Sequence, residues 1–128
     1  MYKDKVIMIS GGTGSWGQEL TTQLLEKDPK KIILFSRGEL AQVNMERKFR
    51  NKKLEFIIGD VRDANAVDRL FDNKQIDCVF HLAALKHVPV CENQPQEAIK
   101  TNIIGTTNLV NSAVRYKVKK FVDVSSDK

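Results

Sequence analysis

The sequence is poor in the residues that mark specialised protein classes. Its 128 residues include two cysteines, three prolines and one tryptophan, and aromatic side chains make up 7%. Cys78 and Cys91 have no metal-ligand spacing, so a metal site is not expected, and a reducing compartment would leave both as free thiols. No apolar run approaches the ~20 residues that a membrane-spanning helix needs. The start, "MYKDKVIMIS", lacks a signal-peptide layout, because its apolar run is short and no small-residue cleavage site follows. A cytoplasmic protein without a membrane partner is the expectation. There is no internal repeat. The net charge is +5 and the pI about 9.3. The cations, such as Lys27, Lys30 and Lys31 or Arg115, Lys117, Lys119 and Lys120, fall near the ends of expected helices and have no interleaved aromatic platform. That distribution favours solvated helix ends over a nucleic-acid surface.

What is present is ordinary in amount and regular in arrangement. Hydrophobic residues make up 41% and charged residues 29%, the composition of a globular domain. Strands are expected at Lys5–Ser10, Lys31–Ser36, Leu54–Ile58, Asp77–His81 and Lys120–Val124. Helices are expected at Ser15–Lys27, Glu39–Phe49, Ala64–Phe71 (capped by Asp63) and Pro95–Tyr116. Asp28-Pro29 breaks the first helix from the second strand. The strands are short continuous apolar runs, which suits strands buried on both faces. This alternation predicts an α/β fold, a doubly wound Rossmann-type parallel sheet of order 3-2-1-4-5, with one dinucleotide-binding domain over residues 1–128. A ligand crevice is expected at the carboxyl ends of strands one and four.

The first strand hands over to the first helix through "GGTGSWG", with Gly11, Gly14 and Gly17 spaced three and three. A helix N-terminus bares N–H groups and attracts phosphate, and glycine lets the backbone come close. Gly11 is assigned to the tight turn, Gly14 to the closest approach and Gly17 to helix packing, while Thr13 and Ser15 add hydroxyl donors. Trp16 either covers the pyrophosphate or staples the helix. The loop is not a Walker loop, since no Lys-Ser/Thr pair follows. At the end of strand two stand Ser36 and Arg37, where an NAD site would place a carboxylate; a guanidinium suits the 2′-phosphate of NADP, while Glu39 keeps NAD open. Asp60 and Val61, past strand three, suit the adenine amino group and ring. His81 reads as a core histidine and not a catalyst.

The stretches "GGTGSWG", "GDVRD" (59–63), "HLAALKHVP" (81–89), "KTNIIGTTN" (100–108) and "SSDK" (125–128) together resemble the extended short-chain dehydrogenase/reductase superfamily. More narrowly, "FSRGEL", "ALKHVP", "EAIKTNIIGT" and the terminal Ser-Asp-Lys are similar to the inverting nucleotide-sugar 4,6-dehydratases that act on UDP-N-acetylglucosamine in polysaccharide and flagellin-glycan biosynthesis. The resemblance runs the length of the chain. Such enzymes continue past strand five with a Tyr-x-x-x-Lys pair and a sugar-binding domain, so the chain is expected to be the N-terminal part of a homo-oligomeric enzyme, inactive alone. Tyr116 to Lys120 repeats that spacing in the wrong place and is taken as coincidence.

The resemblance implies a reaction. The sugar is oxidised at C4 by bound NADP⁺, the C5 proton is removed, water leaves from C6, and hydride returns to C6 with C5 inverted. By motif position it implies Lys128 as the C5 base, Asp127 as the acid for the C6 hydroxyl, and Ser126 as the ligand of the C4 hydroxyl. Leu82, Ala83 and Ala84 would let the backbone approach the coenzyme ribose. Lys86 either touches a diphosphate or is a surface lysine, and Asn102 is expected to bond strand-four backbone near the nicotinamide. A nucleotide-sugar 4-epimerase is one alternative, with Arg37 and Lys128 counting against it; a non-catalytic NADP-binding module is another.

Overall fold

The structure, a computed structural model, describes residues 1–82 and 95–124, with side chains described outside 95–102. The elements are β1 (Val6–Ser10), α1 (Ser15–Leu25), β2 (Lys31–Ser36), α2 (Glu39–Phe49), β3 (Leu54–Ile58), α3 (Ala64–Asn73), β4 (Cys78–His81), α4 (Pro95–Arg115) and β5 (Lys120–Asp123). The five strands form one parallel sheet in the order β3-β2-β1-β4-β5. Ile7 is in register with Ile32 on one side and Cys78 on the other.

The continuous apolar runs split cleanly by the strand period of two. Met8, Ile33, Phe35 and Val79 face one layer, where Val67, Leu70 and Phe71 of α3 and Leu109 of α4 meet them. Ile7, Ile9, Ile32, Leu34 and Phe80 face the other, against Leu24 of α1 and Met45 of α2. Both faces of β1, β2 and β4 are therefore covered. The expectation of doubly buried strands does not extend to β3 and β5, which are only half-buried. Among the described residues they form the two edges of the sheet.

Element ends follow local chemistry. α1 stops at Leu25, two residues short of the expected Lys27, and Asp28 takes a left-handed φ of 56° before Pro29. Proline cannot continue a helix, and aspartate is among the few residues that tolerate the left-handed region. Asp63 caps α3 as expected, accepting from the Asn65 and Ala66 N–H groups at 3.1 Å. α3 continues to Asn73, and β4 starts at Cys78, just after Asp77, whose carboxylate accepts from the Val6 N–H at 2.8 Å. Among the described residues no helix is long and apolar enough to cross a membrane, and no three His, Cys, Asp or Glu residues converge as metal ligands.

Candidate functional site

Four strands end side by side at the carboxyl edge of the sheet, and main-chain bonds join the turns that follow them. The Gly11 N–H donates to Phe35 O, Leu82 N–H to Ser10 O, and Gly59 N–H to Ser36 O, each at 2.9 Å. This gathers Gly11, Thr13, Gly14, Ser15, Trp16, Gly17, Ser36, Arg37, Asp60, Val61 and Leu82 along one edge, around the point where the sheet order reverses between β1 and β4.

Within the loop each glycine has a separate reason. Gly11 has φ 70°, the left-handed turn. At Gly14, the N-cap of α1, a β-carbon would meet nothing within 4 Å, so this position opens onto free space. At Gly17 a β-carbon would lie 2.1 Å from the Gly12 carbonyl oxygen. Its packing partner is thus the loop itself and not the strand. Gly12, unassigned in the sequence reading, is crowded too: a β-carbon there would lie 2.6 Å from Ile9 Cγ2. The signal was available, because Gly12, Gly14 and Gly17 have the two-and-three spacing of the common dinucleotide fingerprint, where Gly11, Gly14 and Gly17 do not.

The first turn of α1 contains no acidic residue and no side chain caps it, whereas α3 is capped by the Asp63 carboxylate. An uncapped helix start facing open space, with glycine at its cap, is a cradle for an anion. Thr13 O accepts from Gln18 Nε2 at 3.0 Å, and Lys48 Nζ donates to Gln18 Oε1 at 2.9 Å, tying loop and helix α2 together. Trp16 is 69% exposed, so its indole is not packed as a staple.

At the end of β2, Ser36 Oγ accepts from Gln42 Nε2 at 2.9 Å, and the same nitrogen donates to Ile57 O at 2.9 Å. Gln42 is a buried amide on the core face of α2, and it clamps the ends of β2 and β3. The sequence reading missed it; a polar residue one turn from Met45 on the apolar face was its only trace. Arg37 is 61% exposed at its side chain and lies 3.9 Å from Asp60 Oδ2.

Asp60 is more occupied than an adenine ligand alone would be. Arg62 Nε lies 3.1 and 3.0 Å from its two oxygens, Arg62 Nη2 lies 2.6 Å from Oδ2, and the Arg62 N–H donates to Oδ1 at 2.9 Å. The hydrogen bonds from Arg62 hold its carboxyl below the usual aspartate range, against a partial opposing effect of burial. Val61 turns its Cγ2 towards Gly105 of α4, where a β-carbon would sit 2.6 Å away, and its carbonyl accepts from Asn108 Nδ2 at 2.8 Å.

His81 is the satisfied core histidine expected. It is buried, with Nδ1 2.6 Å from Ser10 Oγ and Nε2 3.1 Å from Thr106 Oγ1. Tyr116 and Lys120 have unrelated partners: the Tyr116 hydroxyl reaches Asp68 at 3.2 Å, and Lys120 Nζ donates to the Tyr2 hydroxyl at 2.8 Å. Lys120 opens β5, at the amino edge of the sheet, away from the crevice. Ala83, Ala84, Lys86, Ser126, Asp127 and Lys128 lie outside the described residues, as does the side chain of Asn102.

The family described as polysaccharide biosynthesis protein matches residues 7–128. The chain is 46% identical over 127 residues to an uncharacterised membrane protein of Methanocaldococcus jannaschii, covering 99% of this chain and 38% of that one. It is also 46% identical over 132 residues to a UDP-glucose 4-epimerase of Rickettsia canadensis, covering 100% of this chain and 38% of the relative. Among solved structures, Pen from Bacillus thuringiensis superposes with a TM-score of 0.88 at 42% identity, over 96% of this chain and 37% of that one. A UDP-glucose 4-epimerase from Bifidobacterium longum, solved with NAD⁺ and UDP, superposes with a TM-score of 0.83 at 27% identity, again over 96% and 37%. The chain thus spans well under half the length of the relatives it matches.

Proposed function

This chain belongs to the polysaccharide biosynthesis protein family, and from that premise we propose that it is the coenzyme-binding part of an NADP-dependent enzyme that remodels a nucleotide sugar through oxidation at C4. The observation that carries the reading is the uncapped, glycine-lined start of α1 at the reversal point of the sheet, with Arg37 at the end of the neighbouring strand. A pyrophosphate fits that cradle: Gly14 leaves room for it, and the bared amides of the first turn supply donors. Arg37 suits a 2′-phosphate. Bound there, a nicotinamide dinucleotide supplies one group that can both accept and return a hydride.

Within that class the best reading is an inverting UDP-N-acetylglucosamine 4,6-dehydratase, supported by the resemblance of "FSRGEL", "ALKHVP" and the terminal Ser-Asp-Lys. In this reading Ser126 holds the C4 hydroxyl. Once C4 is a ketone the C5 proton is acidified, Lys128 removes it, and Asp127 gives a proton to the departing C6 hydroxyl. A 4-epimerase is the second reading. It is favoured by the name of the Rickettsia relative and by the NAD⁺ bound to the Bifidobacterium enzyme. Those comparisons support a dinucleotide-dependent nucleotide-sugar enzyme and leave lyase and isomerase equally open.

Calorimetric titration with NADP and NAD side by side tests the coenzyme reading. Tighter binding of NADP is expected. Binding of neither would reject the coenzyme site, and preference for NAD would reject the assignment of Arg37. Incubating the full-length protein with UDP-N-acetylglucosamine separates the two reactions: a 4-keto-6-deoxy product marks the dehydratase, and a C4 epimer marks the epimerase.

A further inference from the structure

Asp60 stands between two guanidiniums and treats them differently. Arg62 grips both carboxylate oxygens at 2.6 to 3.1 Å, with a main-chain N–H bond added. Arg37 stands off at 3.9 Å from one of those oxygens. A carboxylate this close to the end of β2 is a problem for a phosphate-selecting site. It repels a phosphate, and it competes for the arginine that should bind it.

We propose that Arg62 is a specificity-determining residue: by occupying Asp60 it leaves Arg37 available for the 2′-phosphate of the coenzyme. This inference rests on the reading of Arg37 given above. The chelating geometry of Arg62 takes the hydrogen-bonding capacity that Arg37 would otherwise fill, and it balances the carboxylate charge locally. The same contact keeps Asp60 ionised, so the arrangement persists through the neutral pH range. Arg62 acts here through Asp60 and need not touch the coenzyme. The sequence "GDVRD" places the pair two residues apart, but only the fold brings Arg37, twenty-three positions before Asp60, into the same cluster.

The test is the ratio of NAD to NADP dissociation constants, measured on the full-length protein by calorimetry. Taking the ratio removes any effect shared by both coenzymes, including a contact of Asp60 with adenine. Arg62→Ala should lower the preference for NADP by about fivefold, the scale of a partly exposed ion pair. Adding Asp60→Asn to that variant should restore the preference, because the carboxylate that captured Arg37 is gone. A double variant no better than Arg62→Ala would overturn the proposal, showing that Arg62 acts on the phosphate directly or on the fold. An unchanged ratio in Arg62→Ala would overturn it as well. Arg37→Ala is the control for the underlying reading. If it leaves the ratio unchanged, the assignment of Arg37 falls and the inference with it. If it abolishes the preference while Arg62→Ala does not alter it, only the inference falls.

Discussion

Gly17 and Gly12 touch so closely that a β-carbon on Gly17 would overlap the Gly12 carbonyl, 2.1 Å away. The first turn of α1 is pressed directly onto the loop that precedes it, and this contact shapes the cradle. Gly14, three residues earlier, has open space where its side chain would be. The two glycines thus serve different ends, one packing and the other access.

Gly17→Ala should destabilise the fold by about 2–3 kcal/mol, because the obstructing atoms are backbone and cannot rotate aside. Gly14→Ala should change stability by less than about 1 kcal/mol yet weaken coenzyme binding by about tenfold by filling the approach to the helix start. Urea unfolding together with calorimetry separates these outcomes. Equal stability losses in both variants would reject the division of roles.

His81→Leu should cost about 1–3 kcal/mol, since it strips the Ser10 and Thr106 hydroxyls of their shared partner in a buried setting. The loss should appear in thermal unfolding even without coenzyme. A variant as stable as the parent would show that the polar contacts add nothing to the core.

Glu55 lies 2.7 Å from Lys74 Nζ and 3.0 Å from Lys31 Nζ. The Lys74 hydrogen bond leads in lowering its carboxyl pKa, partly opposed by burial. A carboxylate with a lowered folded-state pKa adds stability above its ordinary pKa and loses it as pH falls through the lowered one. Acid unfolding followed by circular dichroism should therefore be less steep in Glu55→Gln over that window. An identical acid limb in both proteins would remove Glu55 from the account.

Burial pushes the Cys78 thiol up to about 11, with Asp77 adding to the rise and Lys120 opposing it. In a Cys91→Ser background, Cys78 should resist a disulfide reagent at about pH 8 and react fully once urea unfolds the chain. Rapid labelling of the native protein would contradict the buried, protonated thiol.

The dependence of each feature on the fold differs. The strand–helix alternation and the Asp63 cap were legible in the sequence because they arise from local period and capping chemistry, and the strand order followed from that alternation through the connection rules of α/β folds. Even the exceptions were near the surface of the text: α1 ends shortly before the Asp28-Pro29 break, and Gly12 completes a spacing that could have been counted. The half-burial of β3 and β5 was not legible in their composition, because an apolar run reads the same at an edge as in the middle.

By itself, then, the chain's residue pattern determined alternating strands and helices with a glycine turn after the first strand, since those features follow from interactions a few residues apart. Tertiary structure alone decided that Gln42 reaches Ile57 as well as Ser36, and that Arg37 comes beside the Asp60 that Arg62 claims. The physical reason is reach. Hydrogen bonds and ion pairs act over about 3–4 Å, and no spacing in one dimension states which distant groups the folded sheet will bring within that distance.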